Sequence, residues 1–253
     1  MLEELAEIVA AAGTIAASRF GTDFRRWEKV PGQPVCDVDL EVDAYLRDQL
    51  AVLDPEAGWL SEETVDLSDR IERRRLWVVD PIDGTRDYVR DRPGWCVSVA
   101  LVEDRVPVLG ALAAPLRKEL WTASRGQGSW RNGQRLKVSP RFELAGARVP
   151  ADSLPKVDRD LVPVDKPNSI ALRIAMVAAG EADLLATLRW GFEWDIAAAA
   201  LIAEEAGATV TGALGQPLAF NTASGESFGV LIATPGIHAE AVERLRQRAL
   251  AVV

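Results

Sequence analysis

Two aspartates stand three residues apart, directly after a run of β-forming residues. The segment reads Trp77-Val78-Val79-Asp80-Pro81-Ile82-Asp83-Gly84-Thr85, and its apolar start is typical of a buried strand. Because proline cannot donate a hydrogen bond to a neighbouring strand, we expect this strand to end near Asp80. The two carboxylates and the Ile82 carbonyl would then converge beyond its end. Such hard oxygen ligands suit Mg²⁺.

The Gly-Thr pair that follows is suited to an anion. Gly84 allows a sharp backbone turn, and Thr85 can open a helix whose free N–H groups face an anion. A metal cluster beside an anion site is the arrangement of a phosphatase. Two alternatives remain at this point. Both aspartates could simply accept hydrogen bonds from turn N–H groups, and an aspartyl-phosphate phosphatase is disfavoured because its two aspartates stand two residues apart.

Composition restricts the class of protein. The 253 residues are 48% hydrophobic and 26% charged, enough to bury a large core in one compact unit or two closely packed halves. The net charge of −9 argues against a polymeric nucleic acid as partner, because phosphate backbones require clustered Lys and Arg. An anionic substrate must then be bound by local cations, which again favours a metal.

Cysteine and histidine content excludes other metal chemistry. Cys36 and Cys96 are too few for a disulfide framework or a thiolate zinc site and fit a reducing cytoplasm, and His238 is the single histidine. The N-terminus carries acids where a secretory signal carries Lys or Arg. Its apolar residues recur at helical spacing, so we expect an amphipathic helix, a cytoplasmic protein and no integral membrane segment.

Periodicity and capping residues predict the other elements. We expect a helix from Asp39 to Leu53, a helix to Ala179 capped by Ser169, and a helix over 196–206 capped by Asp195. Hairpins are expected over 95–114 and 119–139, and a connection over 140–167. Helices and strands interleave without a regular βαβ repeat, which favours layered α and β elements. We place an N-terminal half at 1–139 and a C-terminal half at 140–253, within one compact unit.

Five acidic residues lie at the ends of separate predicted elements, where one fold could gather them around two or three Mg²⁺ ions: Asp39, Glu62, Asp80, Asp83 and Asp195. Taken singly, Glu62-Glu63 is typical of a solvated pair and Asp195 of a helix cap. Together they are more informative. The chain resembles the inositol monophosphatase superfamily of Mg²⁺-dependent, lithium-sensitive phosphatases. The resemblance runs through 34–39, 60–63, 80–85, 126–133 and 194–207.

The resemblance implies both a fold and a set of site residues. The implied fold is α+β, a layered α/β/α/β/α sandwich of the inositol monophosphatase/fructose-1,6-bisphosphatase type. Glu62, Asp80 and the Ile82 carbonyl would hold one metal, and Asp80, Asp83 and Asp195 a second. Thr85 and Asp39 would orient and deprotonate the attacking water, with Glu62 as the third catalytic residue, and the N–H groups of Gly84 and Thr85 would bind phosphate oxygens.

Three positions depart from the family pattern or leave it ambiguous. Cys36 occupies a position where the family often has Thr. Asp37 competes with Asp39 for the water-orienting role, and the spacing to Glu62 favours Asp39. Lys29 lies at a family-like distance upstream, where a solvated loop lysine is an equal interpretation.

The substrate is predicted from finer features. Inositol-specific members have an acid seven residues before the Trp-Asp aspartate, and here that position is Leu188. The forms around Glu62 and Asp195 are most similar to the bacterial 3'(2'),5'-bisphosphate nucleotidases, so we expect adenosine 3',5'-bisphosphate to be cleaved to AMP and phosphate. Arg173 and Arg189 are candidates for its second phosphate, and Ser169 for a further substrate contact.

Several alternatives stay open. An inositol-1-phosphatase and a histidinol-phosphate phosphatase share the implied fold. A non-catalytic metal- or nucleotide-binding protein of this fold is a third alternative, although every expected ligand acid is present. The chain would act on a small phosphorylated substrate as a monomer or a homodimer.

Overall fold

The computed structural model describes residues 1–28, 34–64 and 68–252, so Lys29 lies outside the described residues. The α-helices are α1 (Leu2–Arg19), α2 (Asp37–Leu53), α3 (Thr85–Tyr88), α4 (Ile170–Ala178), α5 (Ala197–Glu205) and α6 (Pro235–Leu250). The strands are β1 (Arg26–Glu28), β2 (Pro34–Cys36), β3 (Gly58–Ser61), β4 (Arg75–Asp83), β5 (Cys96–Glu103), β6 (Val106–Ala114), β7 (Glu119–Ser124), β8 (Gly128–Arg131), β9 (Gln134–Arg135), β10 (Arg148–Pro150), β11 (Val162–Val164), β12 (Leu184–Phe192), β13 (Thr209–Thr211) and β14 (Glu226–Ala233).

A seven-stranded sheet runs in the order β3-β4-β5-β6-β7-β8-β9. Strands β3 and β4 are parallel, and the other neighbouring pairs are antiparallel. Because side chains alternate along a strand, Trp77 and Val79 pack with α1 and α2 on one face, whereas Leu76 and Val78 pack with α4 and α5 on the other. Both faces are buried, which explains the continuous apolar run in the sequence of β4.

A second sheet, in the order β12-β14-β13, is antiparallel and covers the far side of α4 and α5. Leu185 and Ile232 join the core that contains those two helices, and Leu184 and Leu231 pack against α6. The order of layers is therefore α/β/α/β/α, and the predicted sandwich is confirmed. The division into halves at residue 139 stays a prediction.

Strand β4 does not end near Asp80, as the proline predicted, but continues to Asp83. Its pairing with β5 is irregular between Asp80 and Asp83, so Pro81 and Ile82 are not in register with β5. The Ile82 N–H donates instead to the Asp80 carboxylate at 3.0 Å. The irregular pairing therefore accommodates the proline within the strand, and it bends the chain so that both carboxylates lie on one side.

The other predicted elements form with shifted bounds. Helix α2 begins two residues before the expected Asp39, and the two predicted hairpins form as β5–β6 and β7–β8. Ser169 caps α4 as predicted, since its hydroxyl accepts the Leu172 N–H. The expected connection over 140–167 contains more structure than proline content indicated, because β10 and β11 pair there in parallel.

Candidate active site

The ends of five elements meet at one edge of the seven-stranded sheet. Because β3 and β4 are parallel, Glu62, which follows β3, and the segment 80–83 at the carboxyl end of β4 lie at the same edge. The N-terminus of α2 brings Asp39, and the turn between β12 and α5 brings Asp195. A cleft of about 460 Å³ opens there, and Glu62, Asp80, Asp83 and Asp195 line it.

Three carboxylates form the centre of the cleft. Asp80, Asp83 and Asp195 each offer an oxygen, and these oxygens lie within 4.8 Å of one another. Asp80 is only 1% exposed. Burial, followed by the charges of Glu62 and Asp83, raises the pKa of Asp80 well above its usual range, and burial with the charge of Asp83 does the same for Asp195. Burial is also the main cause that raises the pKa of Asp83, to about 6.

This carboxylate set fits Mg²⁺. Buried carboxylates that crowd together raise one another's pKa values unless a cation lies among them, and the donors present are the hard oxygens that Mg²⁺ prefers. Ile82 also lines the cleft, between Asp80 and Asp83, and its carbonyl accepts the Thr85 hydroxyl at 3.0 Å.

Asp83 is fixed by the first turn of α4. One of its oxygens accepts the Ser169 hydroxyl at 2.5 Å and the Ala171 N–H at 2.7 Å, and the other accepts the Ile170 N–H at 3.3 Å. Ser169 is fully buried behind this carboxylate. The predicted substrate contact of Ser169 is therefore not direct: its hydroxyl is used by Asp83 and by the helix cap.

Thr85 lies between a carbonyl and a carboxylate. Its Oγ1 is 3.0 Å from the Ile82 carbonyl and 3.4 Å from Asp39 Oδ1, a long contact of the kind that catalytic groups often show without substrate. The other Asp39 oxygen accepts the Cys36 N–H at 2.8 Å and its thiol at 2.9 Å. Burial and the Asp39 charge raise the pKa of the Cys36 thiol, which keeps it protonated as a donor.

Gly84 makes the turn that joins the acids to Thr85. Its φ is +99°, and a Cβ there would lie 2.8 Å from the Gly94 carbonyl oxygen and 3.0 Å from Ser169 N. Only glycine satisfies both restrictions. The backbone at Gly84 therefore lies directly against the segments that carry Gly94 and Ser169.

Asp195 does not cap α5, so that prediction is wrong. The N-cap residue is Ile196, and an Asp195 oxygen is 3.4 Å from the Phe192 N–H. The Ala197 N–H donates to the Glu193 carbonyl instead. The Asp195 side chain is thus turned away from its own helix and toward Asp80 and Asp83.

The rim of the cleft is cationic. Among the described residues that line the cleft, the cations are Arg86, Lys166, Arg173 and Arg189, and the acids are Glu62 and the three central aspartates. Arg173 Nε donates to the carbonyls of Pro167 and Ser169 at 2.9 and 3.2 Å, and Nη2 donates to Asn168. Arg173 therefore fastens the loop before α4, whereas Arg189 is exposed on β12.

Some residues that line the cleft were not predicted from the sequence. Lys166 and Asn168 come from the segment before α4, and Trp190 is 54% exposed on β12. None belongs to a local motif. The one feature that could have indicated Lys166 and Asn168 is the proline-rich segment in which they lie. Leu188, where an acid would have indicated inositol, packs into apolar clusters.

The layered fold and the carboxylate cluster at the sheet edge are the arrangement expected of a Mg²⁺-dependent phosphatase. The sequence profile of the inositol monophosphatase family matches residues 1–251, and the chain belongs to that family. Members are Mg²⁺-dependent phosphatases of small phosphorylated substrates. No helix in the described ranges has the length and apolar character that crossing a bilayer requires.

Three comparisons show the range of its relatives. A histidinol-phosphatase from Mycobacterium tuberculosis is 32% identical over 92% of this chain and 93% of that protein. A 3'(2'),5'-bisphosphate nucleotidase, CysQ, from Aggregatibacter actinomycetemcomitans is 29% identical over 87% of each. The solved structure of a Thermotoga maritima IMPase superimposes with a TM-score of 0.86 at 27% identity, covering 99% of this chain and 98% of that one. The relatives are named for different substrates, but all three are phosphatases.

Proposed function

We propose that this phosphatase hydrolyses a small bisphosphate, with adenosine 3',5'-bisphosphate as the substrate and AMP and phosphate as products. The observation that carries this proposal is the charge of the rim: beyond Glu62 and the central carboxylates, the charged residues described along the cleft are all cations. A second phosphate is favoured by such a rim, since guanidinium groups bind phosphate in two-pronged geometry. Neutral inositol and cationic histidinol gain nothing comparable from it.

The central residues would have separate tasks. Glu62, Asp80 and the Ile82 carbonyl would hold one Mg²⁺, and Asp80, Asp83 and Asp195 a second. When bound, the ions supply Lewis-acid chemistry, neutralising phosphate charge and making water more acidic. Thr85 would orient the attacking water: its oxygen accepts the water's proton while its own proton passes to Asp39, 3.4 Å away. The Gly84 and Thr85 N–H groups would bind phosphate oxygens.

Two rim residues would contact the nucleotide. Arg189 would bind the second phosphate. Trp190, which packs edge-on against Phe228 with ring centroids 5.5 Å apart, would offer its exposed ring for stacking with the base. Arg173 would keep the loop before α4 in place through its three carbonyl contacts.

A substrate series tests the proposal. We expect kcat/KM for adenosine 3',5'-bisphosphate to exceed the values for inositol 1-phosphate and histidinol phosphate. The Arg189→Gln variant should raise KM for the bisphosphate and leave adenosine 3'-monophosphate, which lacks the second phosphate, unaffected. Arg246→Gln, an exposed change on α6, is the control. A preference for inositol 1-phosphate or histidinol phosphate would reject the assignment.

Histidinol phosphate is the second candidate, because the histidinol-phosphatase relative matches 92% of the chain at 32% identity. Inositol 1-phosphate follows, since Leu188 leaves no acid at the expected position. The proposal also includes two or three bound ions, lithium sensitivity, a cytoplasmic location and a monomeric or homodimeric state. A phosphate-release assay with Li⁺ tests the lithium sensitivity.

A further inference from the structure

We infer that Asp43 is a positioning residue that holds Glu62 at the metal site. Asp43 lies on α2 and is 7% exposed. Each of its oxygens accepts a hydrogen bond from a hydroxyl of the segment formed by the end of β3 and the loop after it. The Ser61 hydroxyl donates to Oδ1, and the Thr64 hydroxyl donates to Oδ2 at 2.8 Å.

These two hydroxyls bracket the Glu62-Glu63 pair. The Ser61 oxygen also accepts the Glu63 N–H at 3.3 Å, and the Thr64 oxygen accepts the Trp59 indole N–H at 3.2 Å. Each hydroxyl therefore donates its one proton to Asp43 and accepts a hydrogen bond from another group of β3 or the loop, the Glu63 N–H or the Trp59 indole. The Asp43 carboxylate closes both ends of the segment and limits the positions that Glu62 can take.

A carboxylate suits this arrangement. Two hydroxyl protons point at one side chain, and a carboxylate presents an oxygen to each of them, whereas an amide would turn an NH₂ donor toward one of the hydroxyls. Burying a carboxylate is unfavourable unless it is hydrogen-bonded, so these contacts offset the cost of burying Asp43.

Helix α2 links this contact to the catalytic pair. Asp39 and Asp43 are four residues apart, one turn along the same face, and about 6 Å apart along the helix axis. Asp39 approaches Thr85 and Asp43 holds the loop that carries Glu62. One rigid helix thus sets the spacing between the proton-accepting group and a metal ligand.

The inference rests on the proposed role of Glu62 as a metal ligand, so Glu62→Gln belongs in the test. The variants are Asp43→Ala, Asp43→Asn and Glu62→Gln, with Asp48→Ala as the control that removes an exposed carboxylate from the same helix. Mg²⁺ affinity is measured by calorimetry, and amide hydrogen exchange of residues 58–64 is measured in the metal-free protein. If Asp43→Ala does not fold, Ser61→Ala and Thr64→Val each remove one of the two contacts.

We expect Asp43→Ala to weaken Mg²⁺ binding about tenfold or more, the range for residues that orient metal ligands. Exchange of the amides at 61–64 should accelerate without metal, Asp43→Asn should show an intermediate effect, and Asp48→Ala none. If Glu62→Gln weakens Mg²⁺ binding and Asp43→Ala does not, the positioning role is overturned and the proposed function stands. If Glu62→Gln binds Mg²⁺ like the parent, the metal role of Glu62 fails, and the inference fails with it.

Discussion

Asp83 and Thr85 stand two positions apart in the sequence and differ in what they contribute to the site. Asp83 adds a negative charge to the central cluster and is held by the N–H groups of α4. Thr85 adds a neutral hydroxyl within reach of Asp39. Substitutions at the two positions should therefore fail in different ways.

Thr85→Ala keeps every charge of the cluster, so we expect near-normal Mg²⁺ binding and a loss of kcat on the order of 10²-fold or more, as when a proton-transfer group is deleted. Asp83→Asn removes one carboxylate from the proposed metal site, so it should weaken Mg²⁺ binding as well as kcat. Calorimetric Mg²⁺ titration beside steady-state kinetics separates the two. Near-normal kcat in Thr85→Ala, or parental Mg²⁺ affinity in Asp83→Asn, would show the roles to be wrong.

At this scale the sequence predicted the acids and missed how they are held. The spacing of Asp80 and Asp83 was sufficient to suggest a metal site. Nothing local showed that the Asp195 side chain turns away from its helix, because a cap and a metal ligand use the same residue type at the same place. The rim residues Lys166 and Trp190 depend on how distant segments pack, which no short pattern encodes.

Among the elements, α4 has the most direct influence on the site, because its first turn holds Asp83. Its cap residue Ser169 accepts the Leu172 N–H at 2.9 Å while donating to Asp83. The helix terminus and the proposed metal ligand therefore share one hydroxyl. A substitution that weakens the cap should therefore also weaken Mg²⁺ binding at the proposed metal site.

We expect Ser169→Ala to lower stability by about 1 kcal/mol, the usual cost of losing a cap, and to weaken Mg²⁺ binding because Asp83 loses a hydrogen bond. Ser129→Ala is the matched control: Ser129 is equally buried in β8, and its hydroxyl has no hydrogen-bond partner among the described residues. Thermal melts and Mg²⁺ titrations of both variants provide the comparison. Equal Mg²⁺ affinity in the two variants would show that Ser169 does not contribute to metal binding through Asp83.

Elements were predicted well where a cap or an alternating pattern was strong, as at Ser169 and in the β5–β6 hairpin. The extension of β4 past Pro81 was missed because the irregularity that tolerates the proline depends on the partner strand β5. The pair β10–β11 was missed for a similar reason, since three-residue strands have too little pattern of their own.

For the whole molecule, the central carboxylates connect stability to pH and metal. Without metal the pKa of Asp83 in the folded protein is about 6, against about 3.9 for an unfolded Asp. The folded state thus binds more protons than the unfolded state between these values, so this group lowers stability as pH rises from about 4 through 6. Asp80 and Asp195 shift in the same direction.

Mg²⁺ should therefore stabilise the protein more at pH 8 than at pH 5, because at pH 5 protons must leave the cluster before the ion binds. The measurement is the difference in Tm between Mg²⁺ and a chelator at each pH, with Asp83→Asn expected to reduce the pH dependence. The same increase in Tm at both pH values would contradict the prediction.

The layered architecture of the whole molecule was predicted through family resemblance, and hydrophobic periodicity alone gave only a mixed α and β chain. Periodicity shows which face of a strand is buried, for example the face of β4 that carries Trp77 or the face of β12 that carries Leu184. It does not show which layer covers that face, because this depends on packing between residues far apart in the sequence.

The carboxylate cluster joins Asp80 and Asp83 at the end of β4 to Asp195, which follows β12 much later in the chain, and this separation also affects the order of events in folding. Contacts between distant segments form late, because loop-closure entropy opposes them until the rest of the chain is in place. We therefore expect the carboxylate cluster to assemble after the rate-limiting step. A ligand that binds only what forms late slows unfolding and leaves the refolding rate unchanged. In stopped-flow experiments, we therefore expect Mg²⁺ to lower the unfolding rate and to leave the refolding rate unchanged, so that the ion stabilises the native state kinetically.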